Sequence, residues 1–523
     1  MRIYFIETIS CSPRFYAGHD QLLSKLKPAE IDENYRQKCL PNTRLEVIDF
    51  IIRWIADESS DSKQVLWLHG LAGSGKSTLA TTIAWMMREL RRLGGFFFFD
   101  RDVPERSAAM LVRTLAHRLS LLDDRIGAAI ARIVASNQTI AEMPLTFQFA
   151  NMLSASALES VEWSGGPVLL VIDAVDECPD RGILMQALSQ GFSNLPSFIR
   201  ILAVSRRERD IQQTLGSHSH VLQYSLDIDS AGNKEDISEF LRHRLDEIRM
   251  NDGFLDARWP GDDKIGALVL GAGGLFVWAS TACLYIEGHD PDQRLSELIE
   301  KQPESHLTGP FVQLDRLYMT GLQSAGSWSD PSFSSDCCSI LGMILCARIP
   351  LSDSTINTLL GLPKNRPCRK SISHLGCVLR ISETEGIRIL HPSFHDYLSE
   401  RCNSKPWYIN LQSHHKKLAL HCIKLLDKML CENICGLTLP ESVKEKSLPS
   451  AVSYACKFWI EHICFISNIT DDILGQIYQF LREHLLHWME VLAILKCHDL
   501  TIQLLKNLFG WIQASYLVFL QEA

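Results

Sequence analysis

The chain has no Cys-x-x-Cys pair, and only three of its sixteen cysteines (Cys11, Cys39 and Cys178) lie before residue 200. A secreted disulfide scaffold is shorter and denser in cysteine than these 523 residues. The nearest approach to a metal spacing, Cys431 and Cys435, has no second pair at finger-like distance, so inert reduced thiols and a cytoplasmic setting are expected. An excess of positive charge is also missing. Lys plus Arg is 52 and Asp plus Glu is 61, and the resulting −9 provides no global field for nucleic acid or an anionic membrane. No nucleic-acid partner is expected. The opening run MRIYFIETIS lacks the charged-then-apolar layout of a signal peptide. No internal repeat of fixed period and no low-complexity tract occurs, which excludes a long solenoid or propeller array within this chain.

What is present is the composition of an ordinary folded protein, 46% hydrophobic and 22% charged, with room for three or four domains. One uncharged stretch, Ile265 to Ile286, has the length of a membrane span. Four glycines (Gly266, Gly271, Gly273 and Gly274) crowd its first half, and the Gly-Gly pair predicts two shorter helices with no membrane span. The first 35 residues show little pattern. Helical spacing over Thr43 to Asp57 is followed by a strand at Val65 to Gly70, a glycine-rich turn, and a helix from Lys76 toward Leu93. Further apolar runs at 96–99, 168–172, 199–204 and 221–226 are separated mostly by helical patterns. This alternation predicts an α/β domain with a largely parallel sheet and flanking helices. Beyond about Asp236 helices dominate, apart from a short strand pattern at Gly386 to Leu390, and the last 115 or so residues read as consecutive amphipathic helices.

Three strand ends carry the chemistry. Gly70-Leu-Ala-Gly73-Ser74-Gly75-Lys76-Ser77 fits Gly-x4-Gly-Lys-Ser/Thr between a predicted strand and a predicted helix. Glycines let backbone N–H groups curl around phosphate oxygens, and the helix N-terminus adds partial positive charge. Lys76 then reaches the β- and γ-phosphates and the Ser77 hydroxyl ligates Mg²⁺. A flexible surface turn is the alternative. Next, PVLLVIDAVDEC delivers Asp173 at the end of a buried strand as a second Mg²⁺ contact. Asp176 and Glu177 follow, and one of them can orient or activate the attacking water, or the two form an acidic loop. Finally, ILAVSRRERD ends a strand in Arg206, an arginine placed to stabilise γ-phosphate charge or one of many surface arginines at strand ends. Taken alone, His391 reads as a helix cap or a core histidine.

GLAGSGKST, LLVIDAVDEC and ILAVSRRE together resemble the NACHT class of STAND nucleotide-binding switches, especially the large fungal set related to innate-immune receptors. Asp173-Ala174-Val175-Asp176-Glu177 matches that family's acidic motif, with a small residue after the first Asp. CLPNTRLEVIDFIIRW, GAGGLFVWAS, LDRLYMTGLQ, HPSFHDYLSE, YACKFWIEH and LLHWMEVLAIL are similar to further family segments, so coverage runs from about Cys39 to the end. The resemblance implies ATP or ADP bound by Gly70, Gly73, Ser74, Gly75, Lys76, Ser77 and Thr78, with Mg²⁺ on Ser77 and Asp173 and catalysis by Asp176, Glu177 and Arg206. It places the Arg206 strand between the phosphate-loop and Asp173 strands. It also makes His391 a contact to the ADP β-phosphate that locks a closed state. The implied domains are an N-terminal segment (1–35), a nucleotide-binding domain (36–228), a helical domain (229–330), a winged helix (331–405) and a C-terminal helical domain (406–523).

The family's usual N-terminal signalling domain and C-terminal repeats are not recognisable here, which leaves a truncated form or a switch whose partners supply those parts. The expected function is a slowly ATP-hydrolysing signalling switch that self-associates when ATP-bound and uses protein partners for sensing and output. A nucleotide-binding interaction scaffold with negligible turnover is the alternative. A metabolic P-loop transferase is disfavoured, since no acceptor-substrate lid is recognisable. Nothing in the local sequence separates ATP from GTP.

Overall fold

Apolar runs too short to make an amphipathic helix bury themselves most completely as central strands; here the runs at 65–69, 168–173 and 199–205 do so, and those at 93–98 and 221–225 form the two sheet edges. The computed structural model describes residues 16–31, 36–59, 61–101, 103–300, 310–384, 386–435, 448–467 and 470–522. Its contacts divide the chain into two units, Met1–Ala279 and Ser280–Ala523.

In the first unit the order is α1 (Tyr16–Leu23), α2 (Leu45–Ala56), β1 (Val65–His69), α3 (Lys76–Glu89), β2 (Leu93–Phe98), α4 (Ala108–Ser120), α5 (Asp124–Ser136) and α6 (Leu145–Met152). There follow β3 (Val168–Asp173), α7 (Arg181–Gly191), β4 (Ile199–Ser205), α8 (Arg209–Leu215), β5 (Val221–Ser225), α9 (Ala231–Asp252), α10 (Asp262–Ala272) and the start of α11 (Phe276–Ile286). The strands form one parallel sheet ordered β2-β3-β4-β1-β5. Every residue of β1, β3 and β4 is buried, as expected of strands covered on both faces. The Arg206 strand lies between the phosphate-loop strand and the Asp173 strand, so three strand ends meet along one edge. Such an edge, where strand order reverses, is where parallel α/β sheets bind ligands.

Two details depart from the sequence reading. The first helix after the glycine turn stops at Glu89, not near Leu93, because Arg91 takes a left-handed turn (φ 54°) and the chain enters β2. The weakly patterned N-terminal segment contributes α1, and Leu23, Leu26, Ala29 and Ile31 join the main core. The parts of the expected N-terminal segment at 1–15 and 32–35 lie outside the described residues. The uncharged stretch breaks at Gly273 and Gly274, both with positive φ, into α10 and α11. No helix among the described residues is long and apolar enough to cross a membrane.

The second unit holds the rest of α11, then α12 (Pro291–Glu300), α13 (Pro310–Ser324), α14 (Pro331–Cys346), α15 (Asp353–Leu360), α16 (Cys368–Ile372), β6 (Leu379–Ser382), β7 (Gly386–Ile389) and α17 (Pro392–Asp396). It ends with α18 (Leu411–Met429), α19 (Ser450–Cys464), α20 (Asp471–Ile494) and α21 (His498–Glu522). Three helices followed by an antiparallel hairpin, with Leu351 bridged to Ile387, make a winged-helix arrangement. The remaining four helices are amphipathic pieces packed mainly on α18 and α19, as their periodicity predicts.

Candidate nucleotide-binding site

The loop from Gly70 to Gly75 turns the chain from β1 into α3, and two of its glycines are required by geometry. Gly73 (φ 78°) and Gly75 (φ 88°) occupy the left-handed region, which a side chain would strain. Gly75 leads directly into the first turn of α3, where Lys76, Ser77 and Thr78 follow, and the Thr78 carbonyl accepts a bond from Thr82 Oγ1 at 2.8 Å. The unpaired N–H groups of such a turn form an anion site. Lys76 is only 9% exposed, and its Nζ curls back to donate to the carbonyls of Gly70 (3.0 Å) and Leu71 (2.7 Å). Burial, aided by the charge of Arg206, holds the ammonium down to about 8, while Asp176, Asp173 and Glu177 oppose the shift. Ser74 is fully buried, and its hydroxyl has no hydrogen-bond partner, as a group awaiting a ligand would.

Asp173 is completely buried at the tip of β3. Its Oδ1 accepts from Ser77 Oγ at 3.1 Å and from the Ala174 N–H at 2.9 Å, and its Oδ2 accepts from Arg36 Nη1 at 2.9 Å. The chain then turns through Ala174 in the left-handed region (φ 56°), a conformation less costly for a small side chain than for a branched or bulky one. That turn carries Asp176 toward β4. Asp176 Oδ1 accepts the Arg206 backbone N–H at 2.9 Å, and its Oδ2 pairs with Arg206 Nε at 3.1 Å. The Asp176 carbonyl is held in turn by Arg181, which bridges Glu208 and Asp210 at 2.6 Å each. Asp176 thus engages Arg206 with both carboxylate oxygens, whereas Glu177 is differently placed. Burial, and next the charge of Asp176, raise its carboxyl to about 8.

The sequence reading treated Asp176 and Glu177 as interchangeable; their surroundings separate them into an arginine-holding carboxylate and a high-pKa one. It also passed over two arginines. Arg44 lies inside the quoted segment CLPNTRLEVIDFIIRW, just before α2, and donates from Nη2 to the Ser74 carbonyl at 2.6 Å. Its backbone N–H reaches Asp236 Oδ1 at 3.1 Å, and its guanidinium lies 4.6 Å from the Phe276 ring centroid. Phe276 opens α11 in the Gly-Leu-Phe motif, whose next residue, Val277, donates its N–H to the Gly73 carbonyl at 3.0 Å. Gly274 is fixed by proximity: a Cβ there would lie 2.2 Å from the Ile228 carbonyl oxygen. Asn233 Nδ2 ties the same two carbonyls together, at 2.7 Å to Ile228 and 3.0 Å to Gly274. Arg36, on Asp173, is the second arginine. A Pro-Asn-Thr turn at residues 41–43, just before Arg44, was the sole local signal for either.

His391 belongs to the second unit and is defined by its own surroundings there. It caps α17, and its Nδ1 accepts the Ser393 N–H at 3.1 Å. An accepting Nδ1 carries no proton, so the neutral ring carries it on Nε2. Ser393 Oγ lies 2.7 Å from that same Nδ1 and 2.7 Å from the Tyr318 hydroxyl. Satisfying each group runs the chain from Tyr318 through Ser393 to His391. The helix-cap reading of His391 therefore describes Nδ1, while the donor function expected of it falls to Nε2.

In comparison with known proteins, residues 49–206 match the family described as Nephrocystin 3, N-terminal, a span running from α2 to Arg206. The vegetative incompatibility protein HET-E-1 of Podospora anserina is 24% identical over 481 residues, covering 83% of this chain and 34% of that protein. The chain thus spans about a third of the length of this curated relative. Among solved structures, Caenorhabditis elegans PCH-2 matches 58% of the chain and 71% of its own (13% identity, TM-score 0.25). The Aeropyrum pernix ORC1 protein, solved in complex with DNA, matches 71% and 94% (14% identity, TM-score 0.27).

Proposed function

From the premise that this chain is a NACHT-type P-loop protein distantly related to HET-E-1, we propose that it is an ATP/ADP-dependent signalling switch with slow hydrolysis. The observation that carries this reading is the convergence, on three adjacent strand ends, of Lys76, the Ser77–Asp173 pair and the Asp176–Arg206 clamp. A loop with Lys76 alone binds phosphate; an arginine held at the neighbouring strand tip adds a group able to answer to a γ-phosphate that appears and disappears.

Gly70 to Gly75 cradle the phosphates, Lys76 leaves its loop carbonyls for the β- and γ-oxygens, and Ser74 and Thr78 complete the polar rim. Ser77 and Asp173 are hard oxygen donors already paired at 3.1 Å, and the guanidinium on Asp173 Oδ2 shows that the carboxylate accommodates a cation. They would hold Mg²⁺, which when bound supplies positive charge to the phosphate oxygens. Glu177 takes the proton of the attacking water, and Arg206 steadies the charge that develops on the γ-phosphate. His391 donates from Nε2 to the β-phosphate of ADP in the closed state. The helical domain (229–330), winged helix (331–405) and C-terminal helices (406–523) respond to that exchange, and the ATP-bound form self-associates in the cytoplasm with protein partners for sensing and output. A ligand shifts such an equilibrium only by its differential affinity for the two states, which Arg206 and His391 provide.

The test is to identify the nucleotide released from the purified protein and to follow single-turnover hydrolysis with and without Mg²⁺. Co-purified ADP and slow, metal-dependent turnover are expected. Bound nucleotide with no turnover would favour the interaction scaffold, and absence of any nucleotide binding would remove both readings.

A further inference from the structure

We infer that Arg36 is a further residue of the nucleotide site, a cation that competes with Mg²⁺ for the Asp173 carboxylate and so sets how much metal the site requires. The inference rests on the nucleotide-site reading above. It starts from how Asp173 is used: Oδ1 is already committed to Ser77 Oγ and the Ala174 N–H, and Oδ2 is taken by Arg36 Nη1 at 2.9 Å. A carboxylate with no exposure at all is rarely left charged without a compensating cation, and Arg36 is that cation.

Arg36 is not held as a core residue would be. Its side chain is 25% exposed, and its guanidinium carbon lies 4.2 Å from the Phe98 ring centroid and 5.8 Å from that of Phe96. Phe98 is the register partner of Asp173 across β2 and β3, so one guanidinium stacks on a residue and bonds its sheet neighbour at once. The segment that follows is pinned separately. The Cys39 N–H donates to Thr82 Oγ1 on α3 at 2.8 Å, and Arg44 bonds the Ser74 carbonyl of the phosphate loop. The guanidinium is therefore supported beside Asp173 from outside the sheet, on a face-on aromatic contact it can leave without opening the core.

A divalent cation brought to the same carboxylate meets the guanidinium's like charge at short range, in surroundings where screening is weak. Metal binding must then either displace Arg36 or tolerate it, and either lowers the apparent metal affinity. The consequence is a site that holds the Asp173 carboxylate oriented through Ser77, the Ala174 N–H and Arg36, and closes on nucleotide only above a set Mg²⁺ concentration.

The experiment is a Mg²⁺ titration of fluorescent ADP and ATP binding by the full chain, wild type against Arg36→Gln, Arg36→Lys and Phe98→Leu. Arg36→Gln should lower the Mg²⁺ concentration for half-maximal binding by roughly tenfold, one charge at contact distance being the difference. Arg36→Lys, which keeps the charge without the planar fork, should shift less, and Phe98→Leu, which removes the ring under Arg36 and also under Arg106 (4.3 Å to the centroid), should shift in the same direction. Mn²⁺ binding without nucleotide, followed by electron paramagnetic resonance, should strengthen in the same order. Each midpoint is read on molecules that bind nucleotide, so partial unfolding lowers amplitude and leaves the comparison intact. An unchanged midpoint would make Arg36 a structural brace, and a higher one would make it a supporter of the metal; either overturns the inference. If wild type binds nucleotide and only the shift is missing, Arg36 alone is wrongly assigned. If wild type binds neither nucleotide nor Mn²⁺, the nucleotide-site reading falls and the inference with it.

Discussion

Both units bury titratable side chains, and they satisfy them in opposite ways. In the first, Lys76, Asp173, Asp176, Arg36 and Arg206 crowd one sheet edge as opposed charges beside Glu177, and Lys76 Nζ donates to the carbonyls of its own loop. In the second, a buried chain links Arg348, Tyr454, His462 and His415. The Arg348 N–H donates to the Tyr454 hydroxyl (3.2 Å), which lies 2.8 Å from His462 Nε2, and His462 Nδ1 lies 3.0 Å from His415 Nδ1. With every donor satisfied, protons run one way along it: Tyr454 to His462, His462 to His415. That cluster uses neutral groups to tie α18 to α19; the sheet edge uses charged ones whose full satisfaction requires something else. Buried polarity alone does not mark a site. Buried polarity with a lysine parked on carbonyls and an orphan serine hydroxyl does.

If that contrast is right, variants at the sheet edge change function and spare the fold, whereas variants in the histidine chain do the reverse. The largest effect is expected for Glu177→Gln, which should slow single-turnover hydrolysis about a hundredfold or more while nucleotide affinity stays within a few fold. Asp176→Asn should also slow turnover, but through Arg206, so its effect should not add to that of Arg206→Ala in a double-mutant cycle. Unaffected turnover in both would return the acidic run to an acidic loop after a core strand.

Lys76→Ala should weaken triphosphate binding more than tenfold by calorimetry. Because burial holds the lysine down to about 8, wild-type affinity should also fall as pH rises through that value, by up to about tenfold per pH unit. A flat profile from pH 7 to 9 would mean that Lys76 keeps its proton without phosphate.

His391→Leu should speed ADP release about ten- to a hundredfold, since a charge-assisted bond of roughly 1.5–3 kcal/mol is removed. Ser393→Ala frees the tautomer and should give a smaller acceleration, with nitrogen NMR of the ring reporting proton density moving toward Nδ1. A destabilised apo protein with an unmoved off-rate would leave His391 as a cap only.

The smallest expected effect on function is the break in the other half of the comparison. His462→Phe should cost about 1–3 kcal/mol of stability by leaving Tyr454 and His415 without their shared partner, with nucleotide affinity unchanged. Burial depresses His415 to about 4 and holds His462 well below the ordinary imidazole value of 6.5. The neutral forms therefore favour the fold: that stability is complete above pH 6.5 and is lost as pH falls from there toward 4 and below. Thermal melts across pH 7 to 4 should show the decline in wild type and a flatter one in His462→Phe.

Much of this was readable in the residues. The five strands announced themselves as apolar runs, the phosphate loop by its glycines, and Asp173 by standing at the end of four buried aliphatics. What periodicity cannot report is which distant side chain arrives at a strand tip. Arg36 lies 137 residues before Asp173 and Arg44 lies 30 before Ser74, so their contacts exist only after the sheet is assembled. The division of labour between Asp176 and Glu177 was likewise invisible, since it depends on β4 bringing Arg206 alongside one carboxylate and not the other. Tyr318 and Ser393 lay within quoted segments, yet nothing linear joins them. The helix expected to run toward Leu93 ended early because sheet pairing overrode helical periodicity at Leu93 and again from Gly95 to Phe98.

Gly274 suggests where heritable damage to this protein would collect. It touches no phosphate, yet any side chain there, from alanine upward, collides with the Ile228 carbonyl at a separation no real Cβ adopts. The least costly escape is to push the start of α11 away, which would lift Phe276 off Arg44 and draw the Val277 N–H from Gly73. In a saturation screen for loss of nucleotide binding, Gly274 should therefore tolerate as little as Gly73 or Gly75, and its neighbour Gly273, where an added Cβ meets nothing within 4 Å, should accept asparagine. Two adjacent glycines with the same backbone sign would then carry very different mutational loads, one limited by a neighbour and the other only by its own torsion.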